Sequence, residues 1–496
     1  MALKNRGRWP NAKSIPSRSG FLARRRSTMP QIPSYINRYG SRQGNLIWSL
    51  IAVVLALLIV IIAAPFWLPA VRWIVPDRYI LAYAPQAVQQ LIFQINVNER
   101  VPAPEGGSGE ADAQALLESL PTPQFTPPTP LAAEGTPQVA APVGGVYVQP
   151  TRVPIAPTPT VTPAAAAAVD PRAVDRENSA DLSHADTLLT GFNFVQQTGV
   201  NNCGPASLAT MMSYWGHELT LEETRAFLKP NPDDPNVRPD EMRAFTATLG
   251  YDMIIREGGN FDVIKRFILA GYPVLIETGY DPEPETIGWT SHYLTIVGFS
   301  DKDGGLIAMD TYRRPNWFYA YEEIDALWRQ FNRRYLVAYR PDQAAAVASI
   351  IGPHMDDTTM FTDAMYVAQY ELSLNRNDPY AWFNLGTSLT GLGRYEEAAS
   401  AYDEARRVGL PWRFLWYQFG PFQAYLEVDR YQDVITLADA VLQKIPTEEP
   451  FYYKGLALLA QGQEDKARDQ FRMALRQNRN YEAARIELAK LGDSGS

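Results

Sequence analysis

The stretch Gln197–Gly216, QTGVNNCGPASLATMMSYWG, decides how the chain is read. Its thiol, Cys203, stands directly before Gly204-Pro205-Ala206, where a helix is predicted to start and run to Trp215 before stopping at Gly216. Pro205 suits a first helical turn, where its missing N–H would be unpaired in any case. A thiol there feels the positive end of the helix dipole and nearby free N–H groups, and both favour thiolate. Gln197, upstream, carries a side-chain amide that could donate to a developing oxyanion beside a backbone N–H near Cys203. Cys203 is the single cysteine of 496 residues. An internal disulfide and a Cys-based zinc site are therefore excluded. The histidines, His184, His217, His292 and His354, show no ligand spacing, so neither a metal nor a cofactor is expected.

Around this stretch, from about 186 to 345, helical and strand patterns follow one another. Leu219–Leu228 and Asp240–Leu249 read as helices, and Asn260 caps a further one through Leu269. Tyr251–Arg256, Tyr272–Glu277, His292–Phe299, Leu306–Met309 and Tyr335–Tyr339 read as strands, with Asp303-Gly304 as a hairpin turn. Helices first and mostly antiparallel strands afterwards predict an α+β domain. A thiolate nucleophile needs a proton acceptor, and the acceptor needs an orienting group. His292 opens one strand of the hairpin and Asp310 ends the next, which sets imidazole and carboxylate side by side. Asp233-Asp234, between Pro232 and Pro235, lacks calcium-ligand spacing and reads as a solvated loop.

The ordered set Gln197, Cys203-Gly204-Pro205, His292, Asp310 resembles the papain-like cysteine peptidases of the bacteriocin-processing, double-glycine-leader type, especially their stand-alone relatives. The resemblance covers about 150 residues, near a third of the chain. It implies Cys203 as nucleophile, His292 as base and then acid, Asp310 as its orienting group and Gln197 as oxyanion stabiliser. Many relatives have Asp-Pro where this chain has Asp310-Thr311. Gln196 is adjacent to Gln197, and the sequence leaves open which of the two points inward.

Beyond about 355 the pattern is wholly helical. Trp382, Leu385, Gly386, Leu389, Gly393, Tyr395, Ala398, Tyr402 and Ala405 have tetratricopeptide spacing, repeated by Phe451, Gly455, Leu458, Gly462, Ala467, Phe471 and Ala474. Trp416, Phe419, Gly420, Tyr431, Ala438 and Pro446 form a divergent copy between them, and 363–376 resembles the second helix of a partial repeat. An all-α tetratricopeptide-like solenoid over 355–494 is expected, suited to a protein or peptide partner.

The N-terminal third differs in kind. Residues 1–45 hold ten Lys or Arg and no Asp or Glu, although the whole chain carries a net charge of −9. Leu46–Ala64 is almost wholly apolar, long enough for a membrane helix within 46–71, with Trp48, Trp67 and Trp73 near its ends. The charge asymmetry predicts a cytoplasmic tail over 1–45 and extracytoplasmic domains from 72 onward. Within the juxtamembrane segment 72–100, residues 77–97 could lie as a short helix on the outer surface. Fifteen of the 39 prolines fall between Pro102 and Pro171. Residues 101–185 are therefore expected to be a disordered spacer without folded contacts, reaching about 200 Å if fully extended.

These readings give a single-pass membrane protein that meets the bilayer through one helix and acts outside the membrane on a peptide or protein substrate. The alternative is a catalytically silent cell-surface scaffold that binds a partner protein. Nothing in the charge points to nucleic acid.

Overall fold

The computed structural model describes residues 63, 99–104, 110–121, 185–199, 201–231, 234–280 and 288–493. The basic tail of 1–45, the membrane helix of 46–71 (save position 63) and the surface helix of 77–97 lie outside the described residues. Among the described residues no helix is long and apolar enough to cross a membrane.

The α+β domain follows the expected order. After a short strand β1 (Thr187–Leu188) come helices α2 (Cys203–Tyr214), α3 (Leu221–Leu228) and α4 (Pro239–Thr248), a helix α1 (Glu110–Ser119) having preceded them. Strand β2 (Asp252–Arg256) and helix α5 (Phe261–Leu269) lead into β3 (Val274–Tyr280), β4 (Thr290–Ser300) and β5 (Gly305–Met309). Strand β6 (Trp317–Ala320), helix α6 (Tyr321–Trp328), strand β7 (Tyr335–Tyr339) and helix α7 (Ala344–Ile351) complete the domain. Caps are written in the sequence: Thr220 and Glu223 form a reciprocal capping box for α3, and Asn260 accepts the N–H of Val263 at the start of α5.

The strands form one antiparallel sheet in the order β2-β7-β3-β4-β5-β6, with β1 on the far end of β4. Helix α2 packs on one face through Leu208, Met211 and Met212, which meet Leu275, Tyr293 and Leu336 of the sheet. The other face takes α5, α6 and α7 around Ile264, Phe267, Trp328 and Ile351. Every residue of β3, β4 and β5 is buried. A central strand covered on both sides reads as a continuous apolar run, as LTIVGF does here.

Helices α8 (Asp357–Leu374), α9 (Pro379–Gly391), α10 (Tyr395–Val408), α11 (Gly420–Glu427), α12 (Tyr431–Leu442), α13 (Glu448–Ala460), α14 (Glu464–Gln477) and α15 (Glu482–Lys490) form the C-terminal array. The small residues sit where helices meet. A side chain at Gly386 would run into Tyr402, and one at Gly455 into Phe471. The divergence of the middle repeat is a 3-10 turn, Trp412–Trp416, inserted before α11.

Two expectations need correction. The stretch 101–185 is not free of folded contacts at its N-terminal end. Val101 is buried, its N–H donates to Leu410 O at 3.0 Å, and Arg406 Nε donates to Pro102 O at 2.8 Å. Helix α1 and the residue that follows it then place Ala113, Leu116 and Leu120 in the same core as Leu372, Trp382 and Tyr402. The physical reason is local: EADAQALLES contains no proline or glycine, and its apolar residues recur at helical spacing. The second correction concerns Asp234, which is not in a solvated loop but buried. Its Oδ1 accepts the N–H of Asn236, and Asn201 Nδ2 donates to its carbonyl.

Nor is the helical array a separate module. Trp289 and Phe331 of the α+β domain share a core with Tyr417, Phe414 and Leu385. Arg329 and Arg333 both reach Glu371 of α8, at 3.0 and 2.8 Å. At the other end of the array, Arg238 approaches Glu449 of α13 and lies over the Tyr481 ring, and Asn478 donates to Glu241 of α4. The array thus contacts both the helical layer that begins with Cys203 and the sheet that carries His292.

Candidate active site

Cys203 is the first residue of α2, and its thiol is buried beside Val237 and Met242. Gly204 follows because a Cβ there would press on Val237 and Met242. The helix is fastened to β4 by two hydroxyls: Ser207 Oγ donates to Tyr293 O at 3.0 Å, and Thr295 Oγ1 donates to Ser207 O at 3.2 Å. This sets the N-terminus of α2 beside the start of β4, where His292 lies.

His292 Nε2 is 2.8 Å from Asp310 Oδ1, and the imidazole is also hydrogen-bonded to the Cys203 side chain. With Nε2 taken by the carboxylate, Nδ1 is the nitrogen left for the sulfur. Burial works against protonation of the ring, but the charge and hydrogen bond of Asp310, and then Cys203, outweigh it and push the imidazole up to about 10. Asp310 is fully buried, which alone would raise its pKa. The His292 charge, hydrogen bonds from His292 and Tyr319, and a backbone N–H outweigh this and hold it below the usual carboxylate range. Oδ1 also accepts the N–H groups of Tyr312 and Arg313, and Oδ2 accepts the Tyr319 hydroxyl.

The two members of this pair share a face because of a bulge. Strands β4 and β5 pair Gly298 with Ile307, then Ile296 with Ala308 and Thr295 with Met309, leaving Val297 without a partner. Side chains alternate faces along a strand, so one extra residue inverts which positions lie together. Continued without the bulge, the register would set Asp310 opposite Thr295, on the wrong face. With it, Asp310 falls opposite Leu294, on the face of His292.

Of the two glutamines, Gln197 is the buried one. Its Nε2 donates to Gly199 O at 2.9 Å, and its Oε1 accepts the Thr311 hydroxyl at 2.9 Å. A carbonyl can only accept, so Gly199 fixes which end of the amide is nitrogen, and that nitrogen keeps a second hydrogen. Gln196 instead donates to the carbonyls of Thr311 and Tyr312. The Thr311 hydroxyl is a bond that a proline at this position could not supply.

Four contributors were not evident from the sequence. Tyr319 comes from β6, a strand that period and propensity did not single out. Thr311 orients Gln197. Lys229, buried at the end of α3, donates to Asn201 O at 2.8 Å and approaches Asn202 Oδ1 at 3.4 Å, so it holds the two residues before Cys203. Tyr417 reaches Thr290 from the helical array. Of the remaining histidines, His217 packs edge-on against Tyr251 and His354 pairs with Asp363. Among the described residues no group of His, Cys, Asp and Glu is arranged to hold a metal ion.

The sequence model of the Peptidase_C39 like family matches residues 189–340, from just after β1 to just past β7. The domain is C39-peptidase-like. A tetratricopeptide repeat model matches residues 379–408, which span α9 and α10. Cysteine peptidase is therefore the class to which the C39-like domain points. Among solved structures, a protein described as a C39-like peptidase from Bacillus anthracis is 16% identical, with a TM-score of 0.26, over 31% of this chain and 97% of that one. The peptidase domain of Streptococcus ComA, a bi-functional ABC transporter, is 15% identical, with a TM-score of 0.25, over 30% of this chain and 98% of that one. A double-glycine-motif protease from an AMS/PCAT transporter, solved with its leader peptide, is 16% identical, with a TM-score of 0.24, over 31% and 94%. A comparison with curated proteins gives no match.

Proposed function

We propose that the chain is a membrane-anchored, extracytoplasmic cysteine peptidase that uses Cys203, His292, Asp310 and Gln197. The observation that carries this reading is the His292 imidazole held between the Asp310 carboxylate and the Cys203 thiol. In the mechanism, the Cys203 proton already resides on His292, whose raised pKa keeps the ring charged, and Sγ attacks the scissile carbonyl carbon as thiolate. A C–S bond forms and the carbonyl oxygen becomes an oxyanion. Gln197 Nε2 and a backbone N–H of the first turn of α2 donate to that oxygen. His292 then passes its proton to the leaving amine as the C–N bond breaks. Water, deprotonated by His292, hydrolyses the acyl-enzyme, and Cys203 leaves as thiolate beside the reprotonated ring. Asp310 stays ionised throughout and stabilises the imidazolium.

Placement outside the membrane rests on the basic residues of 1–45 preceding the apolar run Leu46–Ala64. Recruitment of a protein or peptide by surfaces of the helical array that face away from the C39-like domain belongs to the same proposal. The test is cleavage of a peptide library by the full chain in mild detergent, beside Cys203→Ala, with iodoacetamide labelling in parallel. The reading expects cleavage and a thiol far faster than free cysteine at neutral pH, both lost in Cys203→Ala. Equal cleavage by wild type and variant would mean the site is misassigned. A wild-type thiol no faster than free cysteine would favour a silent binding scaffold.

A further inference from the structure

The residues just before His292 are held from outside the C39-like domain. Tyr417, at the end of the inserted turn of the helical array, is 8% exposed. Its hydroxyl lies 2.9 Å from Thr290 Oγ1 and faces the backbone N–H of Ser291. These are the two positions immediately upstream of the histidine. One residue earlier, the Trp289 ring lies between Phe414 at 4.9 Å and Phe331 at 6.0 Å, with Tyr417 at 5.8 Å. Its carbonyl accepts Arg413 Nη1 at 3.5 Å, and its indole N–H donates to Gln330 Oε1 at 2.6 Å. Gln418 completes the contact by donating to Gln330 O at 3.0 Å.

We propose that Tyr417 is a positioning residue of the catalytic centre, supplied by the helical array, which fixes the start of β4 and so the approach of His292 to Cys203. The proposal rests on the peptidase reading above. Two further observations support it. Burial pushes the Tyr417 hydroxyl up to about 12, so the phenol stays protonated beside Thr290. Strand pairing on the β3 side also leaves little room for adjustment. Gly279 faces Ser291, and a side chain there would strike Gln330 and Trp289. The opening of β4 is therefore clamped between Gly279 of its own sheet and Tyr417 of the array. A hydrogen bond between two side chains from different domains gives the array a direct hold on catalytic geometry, which apolar packing alone would not.

The test compares the full chain with Tyr417→Phe, Thr290→Val and the double variant. The readouts are the rate of Cys203 alkylation by iodoacetamide across pH, peptide turnover and thermal unfolding. Each single variant is expected to lower kcat, rather than raise KM, by about tenfold. Each is also expected to change the pH profile of alkylation, with little change in the unfolding transition. Both remove the Thr290–Tyr417 bond and Tyr417→Phe also gives up the Ser291 N–H, so the double variant should lose no more than Tyr417→Phe alone. If Tyr417→Phe fails to fold, Thr290→Val keeps the apolar contacts of the array and carries the same comparison. A reactive wild type matched at every pH by both single variants overturns the positioning role alone, as do losses that simply multiply in the double variant. A wild-type thiol no faster than free cysteine removes the peptidase reading and this role with it.

Discussion

The Tyr319 hydroxyl donates to Asp310 Oδ2 at 2.7 Å while His292 occupies Oδ1, so the two oxygens of one buried carboxylate are held by different elements. Tyr319→Phe removes one of these partners and leaves the His292 bond and the two backbone N–H groups. A hydrogen bond to a charged group is worth about 1.5–3 kcal/mol. Turnover should fall by about ten- to a hundredfold, with substrate binding little affected. Steady-state kinetics decide this, and unchanged kcat would mean that backbone donors alone orient the carboxylate.

The histidine gives a signed pH dependence. Its pKa is about 10 in the fold against an ordinary 6.5, so its contribution to stability is complete below about 6.5 and is lost as pH rises through 10. Asp310 is shifted the other way, so its contribution is present above 3.8 and is lost as pH falls below its lowered value. The difference in unfolding free energy between wild type and His292→Gln should therefore be largest near pH 4–6.5. It should shrink steadily from pH 6.5 to 10, as measured by denaturant titration. A difference that grows over that interval would contradict a charged imidazole in the folded protein.

Much of this site was legible in the sequence and some was not, for physical reasons. Cys203 was readable because a thiol before Gly-Pro at a helix start combines two local signals. His292 and Asp310 were readable as opposite ends of one hairpin. That they share a face was not, since the Val297 bulge changes parity without leaving any mark in a run of apolar residues. Tyr319, Thr311 and Tyr417 were out of reach because each acts across 9, 114 or 127 positions of chain. Helix α1 is masked in the sequence for a different reason. A proline-rich composition averaged over 85 residues concealed ten that contain none, whereas Ala113, Leu116 and Leu120 at helical spacing were a signal that a shorter window would have found.

Shared partners across the domain boundary predict shared stability. Glu371 serves both Arg329 and Arg333, which keep Asp378 and Asp325 as second partners. Glu371→Ala should cost up to about 3 kcal/mol, less than a fully buried pair because each arginine retains a carboxylate. Truncation after Pro353 should go further, exposing Trp289 and Phe331 together and leaving an aggregation-prone C39-like domain. A soluble, cooperatively folding fragment would show that the array is dispensable for the fold.

The docked N-terminal segment makes its own prediction. Leu116 is buried against the array, so Leu116→Ala should lower stability by about 2 kcal/mol, the low end for a buried leucine near a domain edge. Thermal unfolding of the full chain reads this directly, and an unchanged transition would mean that α1 adds nothing to the core.

The same docking changes what the proline-rich stretch can do. Residues 99–104 and 110–121 are seated on the array and residue 185 begins the C39-like domain, so the stretch between 121 and 185 starts and ends on one folded body. Its length therefore sets no distance between that body and whatever precedes residue 99. A protease that cuts once between 122 and 184 would produce two polypeptides on a denaturing gel and a single particle in native buffer. Shedding of the folded body would require a cut ahead of Glu99.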